Sequence, residues 1–257
     1  MPRRGSPEGQ SRGLRADIFL VKHGYAASRE EAQAAIRASL VTAGGQTVAK
    51  PAQILQDGVE IQYRRAHPYV SRGGLKLAAA LDRFALSPAG CICLDVGSST
   101  GGFTQVLLER GAALVYCVDV GHGQLDAKLQ GTGKVVLLEG VNARDLGQSQ
   151  IPVAPAVITA DLSFISLRQS MGPALSLGAP CAWAVLLVKP QFEIGPDAVP
   201  RDGIVRDEAI QQSASADVTR WVVAQGWDEI GTMESPITGK DGNREFLLAV
   251  RKSEPSR

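Results

Sequence analysis

Four charged residues stand where apolar runs begin or end in this chain. Asp161 closes one run in Thr-Ala-Asp-Leu-Ser-Phe, and Lys189 closes another in Leu-Leu-Val-Lys-Pro-Gln-Phe-Glu. Glu245 opens a third in Asn-Arg-Glu-Phe-Leu-Leu, and Lys76 stands at the front of a helical stretch. A lysine, with a reference pKa of ~10.4, serves as a base at neutral pH only if burial or a neighbouring cation lowers that value. Two lysines with two carboxylates to orient them are equipment for relieving an unactivated hydroxyl of its proton. Lys189 is the candidate base, and Lys76 the neighbouring cation. Holding the two reactants in line supplies much of the remaining acceleration. A single charge at a strand end carries no such meaning; the joint placement does.

A glycine turn lies ahead of these groups. Cys91–Val96 reads as a short buried strand, Gly97–Gly102 as a turn with three glycines, and Phe103–Arg110 as a helix with Phe103, Val106 and Leu107 on one face. Strand, glycine turn and helix open a nucleotide-type α/β site, where backbone approaches a ligand closely. The spacing is Gly-x-x-x-Gly-Gly, unlike the Gly-x-Gly-x-x-Gly of dinucleotide enzymes. A pyrophosphate needs the tighter cradle; S-adenosylmethionine, which has no phosphate, does not. Asp119 ends the next apolar run, Leu114–Val118, 22 residues after Gly97, and is placed to accept both hydroxyls of an adenosine ribose.

The positioning elements follow from the alternation of runs. Strands are expected at Val135–Leu138, Ala156–Thr159 and Ala182–Val188, then a helix over Asp207–Ala224. Trp227–Met233 and Glu245–Val250 form a closing hairpin. This pattern predicts an α/β fold, a doubly wound Rossmann-like sheet with an antiparallel closing strand. Because that strand runs backwards, its beginning shares an edge with the ends of the parallel strands. Glu245 therefore joins Asp161, Lys189, Gly97 and Asp119. Ser71 is the expected cap of the helix that carries Lys76, with Leu77, Leu81 and Phe84 on its core face.

The front of the chain is a separate small α+β domain. Ile18, Phe19 and Val21 sit in a short helix ending near Gly24, and Ser28 with Glu31 forms a capping box for a helix through Ile36. Val41 and Val48 flank a hairpin turn at Ala43–Gln46, and Ile54 and Ile61 a second turned at Asp57-Gly58. Residues 1–13 read as a disordered basic tail, 14–63 as the domain, and 64–70 as a linker, extended at His67-Pro68. The overall charge of +1 hides an asymmetry: residues 1–76 hold 12 Lys and Arg against 6 Asp and Glu, and the remainder 15 against 20. A basic front on a slightly acidic body points to a polyanionic partner.

The four cysteines read as buried free thiols of core strands in a reducing compartment. No N-terminal stretch resembles a signal peptide. The longest apolar run, Ala182–Val188, falls far short of the about 20 residues a membrane span needs. The expected location is the cytoplasm, with no metal and no membrane contact; a membrane-active role has no supporting segment.

Two resemblances add to this reading. Leu14-Arg15-Ala16-Asp17, Gly24, Ser28-Arg29-Glu30-Glu31-Ala32, Ile36, Val41 and Val48-x-Lys50-Pro51 resemble the S4-type RNA-binding domain. The series Lys76, Asp161, Lys189 and Glu245 looks like the Lys-Asp-Lys-Glu tetrad of FtsJ-type ribose 2′-O-methyltransferases. With Val70–Leu77, Asp161–Ser166 and Val188–Glu193, the chain from about Leu14 to Lys252 is similar to the TlyA family, several members of which are labelled haemolysins. The resemblance implies a methyltransferase domain over 71–252 that uses S-adenosyl-L-methionine to methylate cytidine ribose in ribosomal RNA. It implies Gly97, Ser98, Ser99, Thr100 and Gly101 around the methionine part, Asp119 at the ribose, Asn142 at the adenine, and Asp161 and Phe164 beside the methyl donor. Arg15, Lys22, Arg29, Lys50 and Arg72 are the candidate RNA contacts. A ribosome-assembly factor using the same folds without catalysis is the competing class, against which an intact tetrad argues.

Overall fold

The computed structural model describes residues 13–26 and 28–253, so the expected basic tail lies, Gly13 apart, outside the described residues. The chain divides into two compact units, Met1–Pro68 and Tyr69–Arg257.

In the first unit Leu14–Arg15 (β1) leads into Ala16–Lys22 (α1), and Arg29–Arg37 (α2) starts on Ser28, whose Oγ accepts the Glu31 N–H at 3.2 Å. Phe19, Leu20, Ala32, Ala35 and Ile36 close over Val41 and Val48. Val41–Ala43 (β2) and Gln46–Thr47 (β3) form a hairpin. The second expected hairpin does not form. Ile54–Leu55 (β4) pairs with β1, and Ile61–Tyr63 (β5) pairs with β2. The Asp57-Gly58 turn is present, with Gly58 at φ 84°, but the strands leaving it splay to different partners. Each finds a longer-range ladder that a local turn signal cannot reveal. The Glu31 carboxylate accepts from the Tyr63 hydroxyl at 3.0 Å and pairs with Arg65 at 2.8 Å, tying the end of β5 to α2.

The second unit opens with Gly73–Phe84 (α3). It starts without a side-chain cap, so Ser71 is not the capping residue expected; its carbonyl accepts the Gly74 N–H in a lead-in turn. Then follow Ile92–Val96 (β6), Gly102–Glu109 (α4), Leu114–Asp119 (β7), Ala127–Gln130 (α5), Val135–Glu139 (β8), Val157–Ala160 (β9), Leu167–Ser170 (α6) and Gly172–Ser176 (α7). Trp183–Val188 (β10), Pro190–Glu193 (α8), Glu208–Ala224 (α9), Trp227–Glu234 (β11) and Phe246–Lys252 (β12) complete it. The sheet order is β11-β12-β10-β9-β6-β7-β8, with β12 antiparallel to both neighbours. This is the doubly wound sheet with a reversed closing strand.

Central strands covered on both faces become continuous apolar runs, and β10 is buried along its whole length. Successive residues point to opposite faces. Leu94, Val96, Leu186 and Val188 pack with Val218, Val222 and Trp227 on one side. Cys93, Val185 and Leu187 pack with Leu77, Leu81, Phe103 and Leu107 of α3 and α4 on the other. Cys93 and Cys117 are buried free thiols, but Cys91 is half-buried just before β6 and Cys181 lies exposed in the turn before β10, both outside any strand. Strand order reverses between β6 and β9, and a crevice opens at such a switch beyond the strands' carboxyl ends. Among the described residues no helix is long and apolar enough to cross a membrane.

Candidate active site at the carboxyl edge of the sheet

The glycine turn is shaped by what surrounds it. Gly97 has φ 79°, and a Cβ there would come within 2.6 Å of the Asp161 carbonyl oxygen. The exit of β9 therefore presses directly on the turn that follows β6. At Gly101, with φ 96°, a Cβ would strike Leu129 at 2.3 Å and Leu125 at 2.7 Å. That glycine serves packing beneath α5.

A cavity of about 500 Å³ opens at the switch point. Gly97, Ser99, Asp119, Asn142, Asp161 and Phe164 line it, as do Val120 and Gln124, which sequence reasoning missed. Ser98, Thr100 and Gly101 are not among its lining residues. Ser98 is buried with an unpartnered Oγ, and the Thr100 carbonyl accepts the Asp126 N–H. Asp119 accepts the Ser99 N–H at 2.8 Å through Oδ2 and the Gly121 N–H at 2.7 Å through Oδ1. Each oxygen keeps acceptor capacity for a second donor. Ser99 Oγ donates to Gln124 Oε1 at 3.0 Å, so Gln124 ties the turn to the loop after β7. Asn142 Oδ1 accepts from the Arg144 N–H and lines the cavity from the loop after β8. Residues of this kind fit an adenosyl group: a bare backbone approach at Gly97, a carboxylate with spare lone pairs for ribose hydroxyls, and apolar Val118, Val120 and Val141 on the walls.

Beside the cavity the structure brings Lys76, Asp161, Lys189 and Glu245 to one edge. The register places Val188 opposite Phe246, so Lys189 and Glu245 leave adjacent strands side by side. The four groups form two pairs. Lys76 Nζ lies 2.6 Å from Glu245 Oε2, with both side chains buried. Lys189 Nζ lies 2.6 Å from Asp161 Oδ1 and donates to Ser163 Oγ at 2.9 Å. Each ammonium has its own carboxylate. Of the four, Asp161 alone also lines the cavity. Gly239 lies against Glu245, a Cβ there falling 2.6 Å from Oε1.

Two further buried carboxylates, Asp95 and Glu193, carry no mark in the sequence. Asp95, one residue from the carboxyl end of β6, is fully buried and accepts from Thr104 Oγ1 at 2.7 Å and Thr159 Oγ1 at 2.9 Å. Burial pushes its carboxyl up to about 6, against the pull of those two hydroxyls. Buried Glu193 accepts from Ser166 Oγ at 2.6 Å and the Leu167 N–H at 2.7 Å, and pairs with Arg168. It joins the loop that carries Asp161 to the helix that follows Lys189.

In the first unit Arg15 and Arg29 converge on Asp17, at 3.0 Å each, with Gln33 at 2.8 Å. The Arg15 hydrogen bond, backed by Gln33 and Arg29, holds the Asp17 carboxyl well below the usual carboxylate range despite its burial. Both arginines stay half exposed at their outer faces. Lys22 and Lys50 are exposed, and Arg72 belongs to the second unit at the start of α3.

Residues 69–252 match the model of the FtsJ-like methyltransferases, and residues 14–61 that of the S4 domain. The chain is 41% identical over 243 residues to the 16S/23S rRNA (cytidine-2′-O)-methyltransferase TlyA of Mycobacterium tuberculosis, covering 94% of this chain and 91% of that one. It is 38% identical to Hemolysin A of Brachyspira hyodysenteriae, covering 91% and 98% of the two chains. A solved structure from Streptococcus thermophilus, titled as a hemolysin candidate, superposes with a TM-score of 0.76 at 38% identity, over 95% of this chain and 90% of that one.

Proposed function

Because the chain belongs to the FtsJ-like methyltransferases, in the TlyA group that carries an S4 domain in front, we propose that it methylates the 2′-hydroxyl of a cytidine ribose in ribosomal RNA. It is a methyltransferase that uses S-adenosylmethionine. The observation that carries the reading is the pairing of Lys76 with Glu245 and of Lys189 with Asp161 beside a cavity floored by Gly97 and Asp119.

S-adenosylmethionine, when bound, supplies the electrophilic methyl group. Gly97 and Ser99 border its methionine part, Asp119 takes the ribose hydroxyls, and Asn142 meets the adenine. The target hydroxyl enters beside Lys189. A neutral Lys189 Nζ would accept the hydroxyl proton as the methyl group passes from the cofactor's sulfonium sulfur, which leaves as a thioether, to the hydroxyl oxygen. Asp161 and Ser163 fix the direction of that Nζ. The Lys76–Glu245 pair, closed off from solvent, fixes the edge on which Lys189 stands. Residues 71–252 perform the transfer. Residues 14–63 bind RNA through the exposed faces of Arg15, Lys22, Arg29 and Lys50, with Arg72 at the start of the second unit. A ribosomal substrate sets the place of work in the cytoplasm.

The test is a map of ribose methylation in ribosomal RNA from cells with and without the gene. A cytidine that carries 2′-O-methyl only when the gene is present is the expected result, reproduced by purified protein on unmethylated subunits. Identical maps, with no transfer in vitro, would refute the reading.

A further inference from the structure

The candidate base is set back from the cavity assigned to the cofactor. The Lys189 side chain is 9% exposed, and Lys189 is not among the residues that line that cavity. Two of its partners are. Asp161, whose Oδ1 lies 2.6 Å from Lys189 Nζ, and Ser163, whose Oγ accepts from the same Nζ at 2.9 Å, both line the cavity from the loop after β9. A hydroxyl that approaches a methyl donor held in the cavity reaches Ser163 before it reaches the lysine.

Ser163 also differs from the other serines of the lining, Ser99 and Ser170, in where its proton goes. Ser99 Oγ donates to Gln124 Oε1 at 3.0 Å, and Ser170 Oγ donates to the Ser166 carbonyl at 2.8 Å. Ser163 is exposed, and among the described residues its Oγ has one hydrogen-bond partner, Lys189 Nζ. A hydroxyl offers one proton and two lone pairs. With Lys189 donating as an ammonium, Ser163 keeps its proton and one lone pair for a ligand. With Lys189 neutral the hydrogen bond turns round, so that the Ser163 proton points at Nζ and both lone pairs face outwards. The same oxygen is then an acceptor towards the substrate and a donor towards the amine.

We infer that Ser163 is a further catalytic residue, which touches the ribose hydroxyl and relays its proton to Lys189. The inference deepens the methyl transfer proposed above and rests on it. Lys189 stays the base, and Ser163 connects it to a substrate that it does not face. The separation of 2.9 Å lies within the about 2.6–3.2 Å over which a side chain hands on a proton.

The step balances as follows. The ribose oxygen forms its bond to the methyl carbon while the sulfonium–methyl bond breaks, and that electron pair stays on sulfur as the thioether. The ribose O–H bond breaks and its proton bonds to Ser163 Oγ. The proton that Oγ carried bonds to the lone pair of the neutral Lys189 Nζ. Ser163 ends as the hydroxyl it began as, and Lys189 as an ammonium opposite the Asp161 carboxylate.

Threonine and valine have nearly the same shape and differ by the hydroxyl, so the pair isolates it, and the valine methyl group keeps water out of its place. In single turnover on unmethylated ribosomal subunits with saturating S-adenosylmethionine, Ser163→Val should run about a hundredfold or more below Ser163→Thr, the usual weight of general acid–base catalysis. Affinities for S-adenosylmethionine and for the subunits should be the same in the two variants. Adding Ser163→Val to Lys189→Arg should slow that variant no further, because both changes break one path. In mixtures of light and heavy water the wild-type rate should curve with the deuterium fraction, since the relay moves two protons together; transfer straight to lysine moves one and gives a straight line. With an active wild type, equal rates for the valine and threonine variants, a further loss in the combined variant, or a straight line each overturn the relay and leave the methyl transfer standing. A wild type that transfers no methyl overturns the functional reading and this inference together.

Discussion

Each unit gathers cations around a buried carboxylate, and the two do it with different residues. In the first unit Arg15 and Arg29 reach in from the surface to Asp17, whose side chain is fully buried. At the sheet edge of the second unit Lys76 and Lys189 are themselves buried, facing Glu245 and Asp161. A guanidinium stays charged at any physiological pH and binds carboxylate through a planar fork, which suits a permanent fastening. An ammonium can give up its proton, which suits a site that must take one. The arginine cluster is built to hold a fold. The lysine pairs stand at the site where the proposed reaction moves a proton.

The contrast has consequences for stability, and the largest falls on the buried pair. Glu245→Ala leaves Lys76 without a partner in a dry site and should cost about 3–5 kcal/mol of folding stability, measured by denaturant unfolding. The double variant Lys76→Met with Glu245→Leu should recover most of that loss and remain inactive. If the single variant is as stable as wild type, the pair is wetter than the structure makes it, and the contrast between the units fails.

Asp17→Asn comes next. Its cations can turn to water, so the loss should be smaller, about 1.5–3 kcal/mol for charge-assisted hydrogen bonds. Here pH separates two carboxylates of opposite sign. Asp17 is held below the ordinary range, so its contribution is present above about pH 4 and is lost as pH falls towards its folded value. Asp95 is raised to about 6, so its contribution is full below about pH 4 and is lost as pH rises through 6. Asp95→Asn should therefore flatten the stability profile between pH 4 and 7, and Asp17→Asn the profile below pH 4. The reverse assignment would mean that the two environments have been confused.

Asp119→Ala should weaken S-adenosylmethionine binding by a similar 1.5–3 kcal/mol. Part of any loss will come from the Ser99 and Gly121 N–H groups it fastens. Unchanged affinity by calorimetry would reduce Asp119 to a fastening of the turn. The smallest effect is expected at Arg29. Its alanine variant should keep near-normal stability, because Arg15 and Gln33 still hold Asp17, while RNA affinity falls and the salt slope drops by about one contact. An unaltered salt slope would make Arg29 a structural partner of Asp17 and nothing more.

The sheet and its edge were legible because each apolar run stops at a charged or glycine residue, and because a reversed last strand puts Glu245 beside Lys189. The pairing within the edge was not legible. Spacing brings Lys76 to the edge, but only the tertiary contact shows that Glu245, 169 residues away, balances its charge. The same holds for Glu193, whose partner Ser166 lies 27 residues back, and for Gln124, a polar residue in a loop without pattern. In the first unit the Asp57-Gly58 turn was correctly placed while its strands were paired wrongly, since a turn residue fixes local backbone and says nothing of the ladder. Arg15 and Arg29 read as surface charges facing a polyanion; that Asp17 engages their inner faces is a fact of burial, which composition cannot carry.

The central claim is that Lys189 accepts the proton of the ribose hydroxyl, and substitution by arginine tests it most directly. Lys189→Arg keeps the charge opposite Asp161 but cannot act as a base at neutral pH. In single turnover on unmethylated ribosomal subunits with saturating S-adenosylmethionine, its rate should fall by about two orders of magnitude or more, the usual weight of general-base catalysis. Cofactor and subunit affinities, measured alongside, should stay close to wild type, and Lys76→Arg should be the milder variant. A Lys189→Arg enzyme that transfers methyl at a near-normal single-turnover rate would contradict the account and leave positioning as the whole of its catalysis.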